Sequence, residues 1–146
     1  MNMVVSLVVG GCLVTMVWLL SDTPPTELKD WLPAIAQVES NRNGLAEGKS
    51  GERGTYQIME GTWSDMTEEP FCKAYNDKLN EHVALKYLKY LENWLHSQGQ
   101  DGSINQVLAC YNGGMGRFKQ VGFDISKMPE STQEYISKVR YAGPRK

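Results

Sequence analysis

Histidine occurs only twice in this 146-residue chain and cysteine three times, and neither recurs at a metal-ligand spacing. With no CxxC pair and no Cys/His cluster, nothing in the pattern asks for a metal, a redox-active dithiol or a cofactor. His82 and His96 read as surface residues. Basic residues are in no excess either: 15 Lys and Arg stand against 17 Asp and Glu, a formal net charge of -2. A nucleic-acid partner would call for a basic face, so that class is excluded. Internal repeats, low-complexity tracts and strongly alternating strands are also missing, which points to one mostly α-helical domain.

Charge is missing locally as well. From Met3 to Leu20 no residue is charged, and only Ser6 and Thr15 carry hydroxyls. As a helix these residues would span roughly 27 Å, close to the roughly 30 Å hydrocarbon core of a bilayer. The start Met-Asn-Met has only its terminal amine, and Val17-Trp18-Leu19-Leu20-Ser21-Asp22 is a poor cleavage site, so a secretory signal fits badly. Val9-Gly10-Gly11-Cys12 loosely matches a lipobox, but cleavage there would leave an apolar new terminus. The expectation is a permanent transmembrane helix over residues 1–21, a linker and helix start over 22–30 that contains Pro24-Pro25, and a catalytic domain over 31–146. Asp22, Glu27, Lys29 and Asp30 do not make a positive flank. The positive-inside rule therefore does not hold the domain in the cytoplasm, and an external, wall-facing location follows. Oxidation is permitted there, so Cys72 and Cys110 have two open readings, a disulfide or a free thiol with Cys110 as a small buried residue.

Periodicity places the helices. Trp31, Ile35 and Val38 recur at amphipathic spacing behind Asp30, a possible cap, and Pro33, tolerated in a first turn. Asn41 to Gly54 reads as a loop, Thr55 to Met59 as a strand or extended turn, and Gly61 to Met66 as a short helix. The longest helix is expected over Lys78 to Leu95, with Ala84, Leu88, Leu91 and Leu95 on one face. Ser103 is expected to cap a further helix that Gly113-Gly114 stops, and Ser131 to Glu134 has the form of a capping box opening the last one.

Glu39 is the residue out of place. It lies four residues beyond Ile35 and so shares its core-facing side. Burial disfavours the charged form of a carboxylate and raises its pKa. A carboxylic acid kept protonated near neutral pH can protonate a glycosidic oxygen. Read from periodicity alone, the plainer account is that Glu39 frays into solvent at the helix end.

Several fragments in order extend this reading. They are Glu39-Ser40, Gly54-Thr55-Tyr56-Gln57, Thr62-Trp63, Tyr87-Leu88, Cys110-Tyr111-Asn112-Gly113-Gly114 and Glu134-Tyr135-Ile136 with Val139. From Trp31 to Val139 the chain resembles the soluble lytic transglycosylases, relatives of goose-type lysozyme. In that family the Glu of a Glu-Ser pair is the acid/base, a Gly-Leu-Met-Gln segment lines the sugar groove, an Ala-Tyr-Asn-x-Gly element follows, and a closing Tyr lies near the Glu. The resemblance implies a lysozyme-like α+β fold and peptidoglycan glycan strands as substrate. It makes Glu39 catalytic and gives Ser40, Gly54, Tyr56, Gln57, Tyr111, Asn112 and Tyr135 to substrate binding. The chain departs from the pattern at Thr55-Tyr56 for Leu-Met, at Cys110 for Ala, and at Glu52, a possible second carboxylate where Ala is usual.

The product implied is a 1,6-anhydro sugar, made without water by attack of the muramic 6-hydroxyl. A true lysozyme is the rival enzyme reading; it needs a group to position water, and Glu52, Glu47 and Asp65 are candidates. A wall-binding membrane anchor that keeps the fold without catalysis is the third reading. Tyr56 and Trp63 can serve as core or as sugar-stacking platforms. Secretion, conjugation or virion-assembly partners in a bacterial or bacteriophage setting would suit so small an anchored enzyme.

Overall fold

The computed structural model describes residues 27–144, together with two short strands, β1 (Val8–Val9) and β2 (Cys12–Leu13), which pair antiparallel. The membrane helix expected over residues 1–21 thus lies outside the described residues except at those four positions, which are extended. Among the described residues no helix is long and apolar enough to cross a membrane.

The domain is mostly helical. A 3-10 turn, Leu28–Trp31, leads into α1 (Leu32–Ser40). Then come α2 (Glu60–Met66), α3 (Asp77–Ser97), α4 (Ile104–Gly113), α5 (Met115–Gln120) and α6 (Glu130–Ala142). Between α1 and α2 the chain makes only isolated bridges, Glu47 with Arg53 and Arg53 with Ile58. Among the residues from 27 onward these bridges are all the β-structure of the expected α+β fold.

Two helices organise the core. The predicted stripe of α3 is buried as expected: Ala84, Leu88, Leu91 and Leu95 are fully inaccessible. Each such leucine contributes about 2 kcal/mol of hydrophobic stabilisation. α4 is buried over four consecutive residues, Val107 to Cys110, because it packs against α3, α5 and α6 at once. A helix apolar on nearly every side is what that position demands. α6 closes the domain against α1 and α4, with Tyr135 and Val139 facing inward as expected.

Helix starts differ from the sequence reading in three places. Asp30 caps the preceding 3-10 turn instead of α1, accepting the Glu27 N–H at 2.9 Å. Ser103 does sit at the N-cap of α4, but its side chain makes no capping hydrogen bond. The expected capping box at Ser131 is displaced: α6 begins at Glu130 behind Pro129, so Ser131 lies inside the first turn. Proline's fixed φ sets the chain direction there without a side-chain acceptor.

The disulfide reading does not hold. Cys72 and Cys110 are both free, Cys72 exposed and Cys110 buried in α4, where burial pushes its thiol up to about 12. A thiol-alkylating reagent should therefore label Cys72 in the folded chain and Cys110 only after denaturation. Peptide mapping by mass spectrometry reads both, and labelling of Cys110 at the Cys72 rate would contradict the packing of α4.

Candidate active site

Four segments far apart in sequence meet around Glu39. The helix that carries it ends one residue later, at Ser40, and the chain turns through left-handed Asn41 and Arg42 (φ 54° and 62°). The Ser40 hydroxyl donates its proton to the Thr55 carbonyl at 2.8 Å and accepts the Asn43 N–H at 3.0 Å. Its one donor is thus spent inside the protein, so Ser40 acts here as a tether for the 54–57 turn.

That turn is held from two more sides. The Thr55 hydroxyl donates to Asp77 Oδ1 at 2.6 Å, and the Tyr56 N–H donates to Asn80 Oδ1 at 2.9 Å. From α4, the Tyr111 hydroxyl donates to the Tyr56 carbonyl at 2.8 Å. The turn needs glycine at position 54: φ is +79°, and a Cβ there would lie 2.3 Å from the Ala74 carbonyl oxygen and 2.7 Å from Asn80 Nδ2. Both the left-handed backbone and the close approach exclude a side chain. Gln57 is also left-handed at φ 47°. Its amide donates to the Gly54 carbonyl at 2.9 Å and the Ala46 carbonyl at 3.3 Å.

Tyr56 and Trp63 are core residues, 3% and 0% exposed, and this corrects the reading of either side chain as a sugar platform. The Tyr56 hydroxyl reaches Glu81 at 3.3 Å, and the Trp63 indole N–H donates to the Glu69 carbonyl at 2.6 Å. What Tyr56 offers the site is its backbone carbonyl, which fixes Tyr111.

Around the Glu39 carboxyl stand Tyr111, Tyr135 and Glu52. Burial is the largest influence on Glu39 and raises its pKa; the Tyr135 hydroxyl opposes the rise, and the negative charge of Glu52 adds to it, with a net value of about 7. Burial, with the Glu39 charge next, raises both tyrosines well above the usual phenol range. The Tyr135 hydroxyl is buried, and among the described residues no group is placed to hydrogen-bond it with good geometry, so its effect on Glu39 is one of proximity. Glu52 is half-buried in the loop opposite, where its carboxylate accepts the Ser50 N–H at 2.9 Å.

Tyr111 joins this cluster to a cleft of about 260 Å³ lined by Gln57, Thr62, Tyr87, Tyr111, Asn112 and Gly113. Asn112 is exposed on its wall. Of the residues expected to bind substrate, Gln57, Tyr111 and Asn112 line this cleft and Tyr135 stands by Glu39. Ser40, Gly54 and Tyr56 instead build the turn. Asn80 and Asp77 were missed, although Asn80 precedes Ala84 by four residues and so falls on the apolar stripe of α3. The chemistry available is one carboxyl whose raised pKa lets it give and retake a proton near neutrality, with phenol groups beside it and amides along the adjoining cleft.

A family model, the transglycosylase SLT domain, matches residues 23–130. Among curated proteins, none matches the chain.

The Glu39 pKa carries a stability consequence with a definite sign. The folded chain keeps this proton up to about pH 7, whereas an ordinary glutamate, as in the unfolded chain, loses it near 4.5. The native state binds the extra proton, so stability falls as pH rises through that window and is level above it. Glu39→Gln removes the buried charge. It should match the wild type at pH 4 and be more stable at pH 8.5, by up to about 3 kcal/mol. Denaturant titrations at the two pH values test this; an identical difference at both would show that Glu39 is solvated.

Proposed function

The chain belongs to the transglycosylase SLT domain family, whose members cleave peptidoglycan glycan strands, and on that premise we propose that Glu39 is its single catalytic acid/base. The observation that carries the proposal is the Glu39 carboxyl with a pKa near 7, set between Tyr111 and Tyr135 beside a cleft. In this reading the bond cut is the β-1,4 linkage from N-acetylmuramic acid to N-acetylglucosamine. Protonated Glu39 donates to the glycosidic oxygen as the bond from the anomeric carbon breaks, leaving an oxocarbenium-like centre. The 6-hydroxyl of the same muramic residue attacks that carbon and returns its proton to Glu39. The product is a 1,6-anhydro end, and no water is consumed.

Each surrounding group has a task. The attacking hydroxyl is tethered to the sugar it closes on, so an intramolecular advantage takes the place of water activation. Tyr135 offers a hydrogen bond to the ionised carboxylate after proton donation. Asn112 supplies its amide, and Gln57, whose NH2 is held by two backbone carbonyls, its amide oxygen, to the N-acetyl and hydroxyl substituents along the cleft. Burial does most to keep the Glu39 proton on, and the Glu52 charge adds a smaller repulsion in the same direction. The same carboxylate is the one feature that a hydrolytic, lysozyme-type reaction would use to direct water.

The product and two variants separate these readings. Purified peptidoglycan digested with the wild type should yield anhydro ends by mass spectrometry. Glu39→Gln should lose activity by at least roughly 100-fold, while Glu52→Gln keeps most of it. Hydrated reducing ends, together with a folded but inactive Glu52→Gln protein, would establish a lysozyme instead. The apolar 1–21 segment goes with a membrane anchor and a wall-facing domain in this proposal. Full-length protein should then sediment with membranes and need detergent for release, and recovery in the soluble fraction with an intact N-terminus would refute the anchor.

A further inference from the structure

The cleft does not end at Tyr111 and Asn112, because a file of tyrosines leads out of it. Tyr111, beside Glu39, lies 5.5 Å from Tyr87, ring centre to ring centre. Tyr87 in turn stacks on Tyr90 at 6.3 Å and 15°. The degree of burial falls along the file: Tyr111 and Tyr87 are half-buried, and Tyr90 is 44% exposed. Tyr87 and Tyr90 are three residues apart on α3, so one helix face presents both rings.

Tyr90 stands in a depression of about 610 Å³ lined also by Asp65, Met66, Lys86, Lys89 and Asn93. The Lys86 ammonium is held by the Met66 carbonyl at 2.6 Å, while Lys89 and Asn93 are exposed. A flat aromatic face ringed by amide, carboxylate and ammonium groups suits a sugar. Its C–H face packs on the ring, and its hydroxyls reach the polar rim.

We propose that Tyr90 is an outer platform for a glycan strand, binding a sugar beyond those held in the cleft. The proposal rests on the glycan-cleaving reading above. It makes the enzyme one that grips an extended strand, with remote contacts contributing to binding of long substrates. Met59, also 44% exposed, lies at the cleft and is not part of the tyrosine file.

Binding to the Glu39→Gln protein, which should leave the ligand intact, tests this. Chitotriose and chitohexaose serve as probes, titrated calorimetrically. In that background Tyr90→Ala should weaken chitohexaose roughly 3- to 10-fold, the scale of one aromatic stacking contact. Chitotriose affinity should not change, and Tyr90→Phe should restore the hexamer value because the ring is kept. Equal hexamer affinity with and without the ring would overturn the platform, as would an equal loss for both probes. If the Glu39→Gln protein binds neither probe and the wild type leaves peptidoglycan uncut, the glycan reading itself falls. A wild type that cuts, with Tyr90→Ala indistinguishable in hexamer binding, sinks the platform alone.

Discussion

The hydrogen bonds that pin the 54–57 turn are the constraint on which the site depends. Ser40 from α1, Asp77 and Asn80 from α3, and Tyr111 from α4 each hold a different group of Thr55 or Tyr56. The Arg53–Ile58 bridge closes the turn, and the Gly54 and Gln57 N–H groups bond the Ala46 and Gly54 carbonyls. The polar groups of Thr55 and Tyr56 that these bonds leave over are met by side chains, where a buried group left unpaired would cost about 1–3 kcal/mol. Closing it places Glu52 opposite Glu39 and draws Tyr111 to the end of α1. The partial burial that raises the Glu39 pKa is thus a product of the turn as much as of the helix. Gly54 is the piece that cannot be exchanged, since any Cβ would run into the Ala74 carbonyl.

Much of this was legible because polar residues on apolar stripes stand out. Glu39, four residues after Ile35, is such a case, and the structure part-buries it between Tyr135 and Glu52. Asn80 is the same kind of signal on α3, four residues before Ala84, and the leucines that mark this helix do not point to it. It is fully buried and bonds both the Tyr56 N–H and, at 3.3 Å, the Arg53 carbonyl. A buried amide with two backbone partners is a scaffold device, and periodicity marks where it sits without saying what it holds.

Roles were harder to read than positions. A Glu-Ser pair in sequence does not say where the serine proton goes, and here it goes to Thr55. An aromatic in a groove-lining segment does not say which side of the backbone its ring takes. For Tyr56 the ring enters the core and the carbonyl faces the site. Helix starts failed for a similar reason. Ser131 and Glu134 have the spacing of a capping box, but Pro129 had already set the start of α6. Local pattern loses where the neighbouring backbone fixes the geometry first.

One carboxyl can serve as acid and then base only if neither form is held too firmly. Burial, the largest influence, favours the neutral acid; Tyr135 favours the ionised form, and Glu52 adds a smaller push toward the acid. These influences come from different segments, α6 and the loop after α1. A change in either would move the proton equilibrium without touching the helix that carries Glu39. A pKa near the working pH leaves both protonation states within easy reach, which is where a group that must alternate works best. A carboxylate placed as Glu52 is can therefore matter to the reaction through its charge alone, without ever contacting the sugar. That makes the second carboxylate compatible with a one-glutamate mechanism as well as with a hydrolytic one: in the first it acts through its charge, in the second it must reach the attacking water.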